Sequence, residues 1–220
     1  MSESTLNLRI EKTVGYRIVR AIVVALWKVM FRPVVVGAEN IPPQGPVVLA
    51  PIHRSNIDFA YLVFATKRKT FFMAKDSLWK VPVLSTLIQT MGAFPVKRGT
   101  ADRESLKNAQ QVLSEGQALV LFPEGTRQEG DEVGPLFEGA MFIASRAGAP
   151  VIPVGLGNTE KAMKKGAKIP RPVRTTVVIG APIQPPSNNT RVTRTELAAA
   201  TNELKTGLQA AYDSARELLN

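Results

Sequence analysis

The apolar positions follow a helical period at the start of the chain and a strand-like pattern after it. In "VGYRIVRAIVVALWKVMF", residues 14–31, Ile18, Ile22, Ala25, Leu26, Val29 and Met30 share a broad apolar face on a wheel of about 100° per residue. Thr13, Arg17, Arg20 and Lys28 fall on one narrow basic stripe of the same wheel. That pattern predicts an amphipathic helix in a membrane interface, with basic side chains among the headgroups; a first helix packed on a soluble core is the competing reading. The longest unbroken apolar run, Ala21 to Trp27, is short of the roughly 20 residues needed to cross a bilayer. No small-residue cleavage site follows it, since the run leads into Lys28 and "FRP".

After Pro33 come short, β-branched runs punctuated by Pro and Gly: residues 34–37, 46–50, 70–74, 92–96, 118–122, 151–155 and 175–180. Being continuous rather than alternating, they predict strands buried on both faces. Helices are expected between them at 55–67, with Ser55 as N-cap, and at 76–90, 101–115 and 137–147, the last closed by Gly148. A Thr193-x-x-Glu196 capping box then opens a long amphipathic helix with apolar Leu197, Leu204, Leu208, Tyr212 and Leu218. The fold class that follows is α/β: a single domain with a mixed, largely parallel sheet of about seven strands covered by helices. Three segments are expected: an N-terminal amphipathic helix (1–32), an α/β core (33–190) and a C-terminal helix packed on that core (191–220).

Composition narrows the chemistry. A formal charge of +10, from 28 Lys and Arg against 18 Asp and Glu, makes the natural partners anionic: nucleic acid, anionic lipid, a phosphorylated metabolite or an acidic carrier. The basic connection from Lys161 to Arg174, with Lys164, Lys165, Lys168 and Arg171, adds to that field. There is no cysteine and one histidine, which removes disulfides, thiolate nucleophiles and imidazole-rich metal sites, and no metal is expected.

Four stretches carry groups that do chemistry. In "PIHRSNIDFAYL" (51–62) the lone His53 stands five residues before Asp58. A carboxylate on Nδ1 would fix the tautomer and leave Nε2 as a base for an alcohol; Ser55-x-x-Asp58 also reads as a helix capping box. "GAFPVKRG" (92–99) ends in Lys97 and Arg98, and "TFFMAK" ends in Lys75: cations at strand ends, either anion ligands or solvated surface. In "LFPEGTRQ" (121–128), Gly125 would let backbone amides approach an anion and Arg127 would fork onto phosphate. Glu124 would hold Arg127 or accept from a substrate hydroxyl, or else be a surface charge. "GAPVIPVG" (148–155) carries Pro150 and Pro153, which suits a groove wall more than a sheet centre.

Together these stretches resemble the four sequence blocks of the glycerolipid acyltransferase family, whose best-known members acylate lysophosphatidic acid (1-acylglycerol-3-phosphate). His53 and Asp58 match the first block; Gly92, Phe94 and Arg98 the second; Phe122, Pro123, Glu124, Gly125, Thr126 and Arg127 the third; Val151 to Val154 the fourth. Order and spacing agree over about residues 34–180.

The resemblance implies an acyl transfer in which His53, oriented by Asp58, deprotonates a glycerol hydroxyl that attacks an acyl thioester directly. Arg98, Glu124, Gly125, Thr126 and Arg127, with Lys75, would hold the acceptor and its phosphate. Without cysteine or a G-x-S-x-G elbow, a covalent acyl-enzyme is poorly provided for. Acyl-CoA or acyl carrier protein would be co-substrate, with no permanently bound cofactor and no nucleic acid. The expected location is the cytoplasmic face of an anionic membrane, peripheral or monotopic. Another lysolipid, a glycolipid or glycerol phosphate are alternative acceptors, and a non-catalytic basic membrane- or nucleic-acid-binding module is the competing class. Two positions depart from the pattern: Ile52, where the family often has asparagine, and Glu138, in a segment often basic.

Overall fold

A computed structural model of the 220-residue chain describes residues 14–80, 82–96, 103–164, 166–167, 169–186 and 192–219. Seven strands form one sheet: β1 (Val34–Val36), β2 (Val47–Pro51), β3 (Thr70–Lys75), β4 (Ala93–Val96), β5 (Ala118–Val120), β6 (Val151–Gly157) and β7 (Thr176–Ile179). Their order is β1-β7-β6-β2-β5-β3-β4, parallel throughout except where β6 meets β7. The helices are α1 (Val14–Phe31), α2 (Asp58–Ala65), α3 (Pro82–Thr90), α4 (Arg103–Ser114), α5 (Gly139–Ala147), α6 (Thr159–Ala162) and α7 (Arg194–Glu217). The predicted mixed α/β sheet with a long C-terminal helix is therefore the observed architecture.

The continuous apolar strands have two cores to fill. Val47 and Leu49 of β2 point to one face, where Phe31, Tyr61 and Leu62 from α1 and α2 cover them. Val48 and Ala50 point to the other, under Ala109 and Val112 of α4 and Met141 and Ala144 of α5. Both faces are thus dry, which is why these strands do not alternate. Neighbouring strands β2 and β5 send their chains in opposite directions along the sheet, toward β3 and toward β6. Their C-terminal ends therefore border a crevice of the kind in which open α/β sheets bind ligands.

Three expectations are corrected. Pro153 lies in an interior strand, buried between β2 and β7, so it occupies a sheet centre as well as lining a surface groove beside Gly207 and Ala211 of α7. Its nitrogen faces β7 just beyond the point where β7 ends at Ile179; the ladder resumes at the Val151–Ile183 bridge, so the missing N–H leaves no gap in it. The helix expected at 55–67 starts only at Asp58, and Ser55 is not its N-cap. The helix expected at 76–90 is a 3₁₀ turn at Asp76–Lys80 followed by α3.

α1 presents two faces. Tyr16 and Phe31 are buried and Trp27 packs edge-on to Phe31 at 5.3 Å, whereas Val14, Ile18, Ile22, Leu26 and Val29 are exposed, Val29 by 78%. The predicted apolar face is thus not consumed by the core. Arg20, placed by the wheel on the basic stripe, turns inward: its Nη2 donates to the carbonyls of Val63 and Thr66 at the end of α2, at 3.1 and 3.0 Å. Arg17 and Lys28 remain exposed, and Thr13 lies outside the described residues. Among the described residues no helix is long and apolar enough to cross a membrane.

α7 begins with the predicted box: the Thr193 side chain accepts from the Glu196 amide, and the Glu196 carboxylate accepts from the Thr193 amide. Those bonds hold the Glu196 carboxyl below its ordinary range. Its contribution is present at neutral pH and fades as pH falls through that lowered value. Further along, α7 lies directly on β6, burying Leu204, Leu208 and Tyr212; Leu218 falls beyond its end and is exposed. The contact is backbone on backbone: a Cβ at Gly155 would stand 2.0 Å from the Ala211 carbonyl oxygen. Gly155→Ala is therefore expected to lift α7 off the sheet at a cost of at least about 1–3 kcal/mol, measurable as a lowered urea midpoint.

Candidate active site

β2 ends at Pro51, and the following residues enter the crevice under tight constraint. Ile52 has no exposed surface and its amide continues the ladder onto Val154 at 3.0 Å. The departure at this position thus places a core side chain just before the histidine. Next, both backbone groups of His53 are held: its N–H donates to Glu124 Oε2 at 2.8 Å and its carbonyl accepts from the Gln128 amide at 2.9 Å. The ring lies against Phe122, centroids 4.1 Å apart. Its Nδ1 stands 2.9 Å from Asp58 Oδ2.

Asp58 is fully buried. The same Oδ2 accepts the Arg54 and Ser55 amides at 2.6 and 2.7 Å. The two readings of this stretch therefore merge. One carboxylate oxygen closes the turn that leads into α2 and engages the imidazole, so the turn holds the His–Asp pair together. The Ser55 half of the box is missing: the Asp58 amide goes to the Ser55 carbonyl at 3.4 Å, while the Ser55 hydroxyl accepts from the Ile57 amide at 3.5 Å and donates to the Met163 carbonyl at 3.0 Å. Beside the pair, burial pushes the Tyr61 phenol well above the ordinary tyrosine value, with a smaller push from Asp58 and Glu160. It stays protonated at any physiological pH.

Glu124 differs most from expectation. It is 1% exposed, so it is no surface charge, and its partner is Arg54, not Arg127. Arg54 Nη1 reaches its two oxygens at 2.9 and 3.0 Å, and the amides of His53 and Gly134 complete the set at 2.8 and 3.1 Å. With four bonds accepted, little capacity is left for a substrate hydroxyl. Arg54 Nη2 donates to the Glu132 carbonyl at 2.8 Å, and its guanidinium lies 5.2 Å from the Tyr212 ring of α7. Arg54 was not singled out in the sequence. The signal that could have found it is a glutamate between apolar and glycine-turn residues, which requires a buried cation.

The turn after β5 is not an open cradle either. The Gly125 and Thr126 amides donate inside the turn, to Phe122 and Glu124 carbonyls at 3.0 and 2.7 Å. Glycine is needed at 125 for another reason: φ is +68°, and an added Cβ would meet the Phe137 ring at 2.7 Å. The Thr126 hydroxyl is exposed and accepts from Gln128 at 3.2 Å. Arg127 is half-buried, and no described residue pairs with its guanidinium. Lys75, exposed, ends β3 on the same sheet edge. Arg98, with Lys97, follows β4 and lies outside the described residues, as do Lys165 and Lys168. Glu138 stands at the start of α5 without capping it through its side chain.

α7 reaches this site through the loop before Gly134. Gln209 accepts the Val133 amide at 2.7 Å and donates to the Asp131 carbonyl at 3.1 Å, and Arg216 pairs with Asp131 at 2.6 Å. The carbonyl that Arg54 needs, that of Glu132, is thus positioned from the last helix.

The sequence model of the family described as Acyltransferase matches residues 32–157. The chain is 32% identical over 135 residues to a chloroplastic 1-acyl-sn-glycerol-3-phosphate acyltransferase of Brassica napus, a match covering 60% of this chain and 39% of that one. It thus spans about two-fifths of the plant protein's length. A 1-acyl-sn-glycerol-3-phosphate acyltransferase of Bacillus subtilis is 29% identical over 174 residues, 77% of this chain and 83% of that protein. In fold, the crystal structure of the 1-acyl-sn-glycerophosphate acyltransferase from Thermotoga maritima superposes with a TM-score of 0.71. It is 23% identical and covers 89% of this chain and 78% of the other.

Because Glu124 and Arg54 are a buried pair, Glu124→Ala strands a guanidinium and should cost about 3–5 kcal/mol. That is a fall of roughly 10 °C in Tm for a chain of this size. Arg127→Ala should leave Tm within about 2 °C. Calorimetry on the two variants checks both.

Proposed function

The chain belongs to the acyltransferase family, and from that premise we propose that it moves a fatty acyl group from an acyl thioester to a hydroxyl of lysophosphatidic acid, giving phosphatidic acid. The observation that carries this reading is the 2.9 Å contact between His53 Nδ1 and the fully buried Asp58 carboxylate, at the crevice end of β2.

In the proposed reaction Asp58 keeps the proton on Nδ1, so Nε2 is the basic nitrogen. The acceptor hydroxyl gives its proton to Nε2 as its oxygen attacks the thioester carbonyl carbon. Collapse of the tetrahedral intermediate breaks the carbon–sulfur bond, and the leaving thiolate takes the proton back from the imidazolium. The acyl group passes directly to the acceptor with no covalent enzyme intermediate. Asp58 contributes orientation and stabilises the transient imidazolium. The thioester is that of coenzyme A or of an acyl carrier protein, both anionic like the basic chain's other expected partners.

Lys75, Arg98 and Arg127 supply the cations for the acceptor phosphate, Arg127 because its guanidinium has no described partner. Gly125 and Thr126 shape the turn that carries Arg127, with the Thr126 hydroxyl toward solvent. Glu124 acts one step back, by holding the His53 backbone. We further propose that the exposed apolar face of α1 lies in a membrane surface, as a peripheral attachment, which brings a lipid acceptor to the crevice without a spanning helix.

His53→Ala is expected to lower transfer of a labelled acyl chain from acyl-CoA to lysophosphatidic acid by about 10²–10⁴-fold with unchanged circular dichroism. Transfer at the wild-type rate would sink the mechanism. Arg127→Ala should raise KM for lysophosphatidic acid by more than tenfold and leave a phosphate-free monoacylglycerol acceptor unaffected, as charge-assisted contacts to phosphate predict. Equal losses on the two acceptors would remove phosphate binding from its role.

A further inference from the structure

One sizeable cavity of the described residues lies away from the catalytic edge. It has a volume of about 720 Å³ and is lined by five cations, Arg17, Arg20, Lys67, Arg68 and Lys69, against one carboxylate, Glu115. The wall segments around Gly45, Lys69 and Gln117 immediately precede β2, β3 and β5. The cavity therefore opens at the N-terminal edge of the sheet, about 17 Å of strand away from His53. No step of the proposed reaction uses it.

Several of its cations are already held in place. Arg68 donates to the carbonyls of Pro42, Gly45 and Gly116 at 2.7, 2.7 and 2.8 Å. Arg20 is tied to Val63 and Thr66. Lys69 is buried, with its ammonium 4.2 Å from the Phe71 ring and 5.5 Å from the Tyr16 ring. The Arg20 and Arg68 bonds all go to backbone carbonyls, so they orient those two positive charges without cancelling them. Burial holds the Arg68 guanidinium below the ordinary arginine value, a loss that a bound anion offsets. Arg17 and Lys67 are exposed at the mouth.

We propose that this cavity binds the anionic headgroup of a membrane phospholipid, as a second lipid contact separate from the catalytic crevice. The choice of a lipid over a soluble anion comes from α1. Exposed Ala21 lies on the cavity wall and also borders the outer apolar face of Ile18, Ile22 and Leu26. α1 is 18 residues long, about 27 Å. It runs from the cavity to Phe31, whose carbonyl accepts the Thr175 amide at the start of β7, on the catalytic edge. A membrane along α1 would touch headgroups in the cavity at one end and deliver acceptor lipid at the other. The proposal rests on the membrane reading of α1.

The test is sedimentation of the full chain with phosphatidylcholine vesicles, with and without phosphatidylglycerol, for three paired variants. Arg17→Ala/Lys67→Ala should lower partition onto the anionic vesicles by about 25-fold, roughly five-fold per cation near a charged surface, and leave neutral vesicles unchanged. Transfer between micellar substrates should also be unchanged, since neither residue belongs to the crevice. Lys107→Ala/Lys205→Ala, an equal charge loss at exposed sites on α4 and α7, should have less than a third of that effect. Equal losses in the two variants mean diffuse attraction and overturn the cavity. Thermal protection by inorganic phosphate at constant ionic strength, lost in Arg17→Ala/Lys67→Ala while vesicle partition is not, assigns a soluble anion and overturns the lipid. Ile22→Asp/Leu26→Asp should lose both vesicle types; full retention of binding would show instead that the membrane reading of α1 has failed.

Discussion

Two loops that leave neighbouring strands meet over the buried pair of Arg54 and Glu124, and the rest of the site depends on that meeting. Removing two charges from water costs several kcal/mol each unless every lone pair and proton finds a partner. Here the partners are the His53 and Gly134 amides on one side and the His53 and Glu132 carbonyls on the other, with the buried Arg54 Nε left without one among the described residues. The pair is stable only when the chain after β2, the chain after β5 and the loop to α5 are all in place. Its desolvation cost thereby becomes geometric specification of the backbone that carries His53.

The same demand explains why the last helix belongs to the site. The Glu132 carbonyl is useful to Arg54 only if residues 131–133 are held, and Gln209 and Arg216 of α7 hold them. α7 can reach that loop because Gly155 and Gly157 of β6 let its backbone come down onto the sheet. A segment that looks like an appendage in the linear chain thus supports the sheet edge that carries His53 from behind, while Asp58, with one oxygen engaged three ways, supports it from α2.

The sheet also separates two kinds of positive charge. At the C-terminal edge, where the single imidazole also lies, Lys75 and Arg127 are exposed or half-buried without described ion partners. At the N-terminal edge, Arg20 and Arg68 are spent largely on backbone carbonyls, and what they contribute outward is field. α1 joins the edges and carries the largest set of exposed aliphatic side chains in the described chain. Apolar surface of that kind on a helix face marks a contact with something other than water.

Much of this was legible in the order of residues. Strand runs dry on both faces forced a helix-covered parallel sheet, the α7 capping box is a local bond between Thr193 and Glu196, and His53 with Asp58 spans one turn. Each is decided within a few residues, by periodicity or by a hydrogen bond between chain neighbours. What folding alone decided involves partners distant in the chain. Arg54 finds Glu124 across 70 residues, Arg20 leaves its predicted stripe for carbonyls of α2, and Pro153 is tolerated inside a sheet because β7 ends where its missing N–H would point. The pattern of a sequence records which groups want burial or a partner. Which partner each obtains depends on loops closing from different strands, and only the tertiary structure sets those distances.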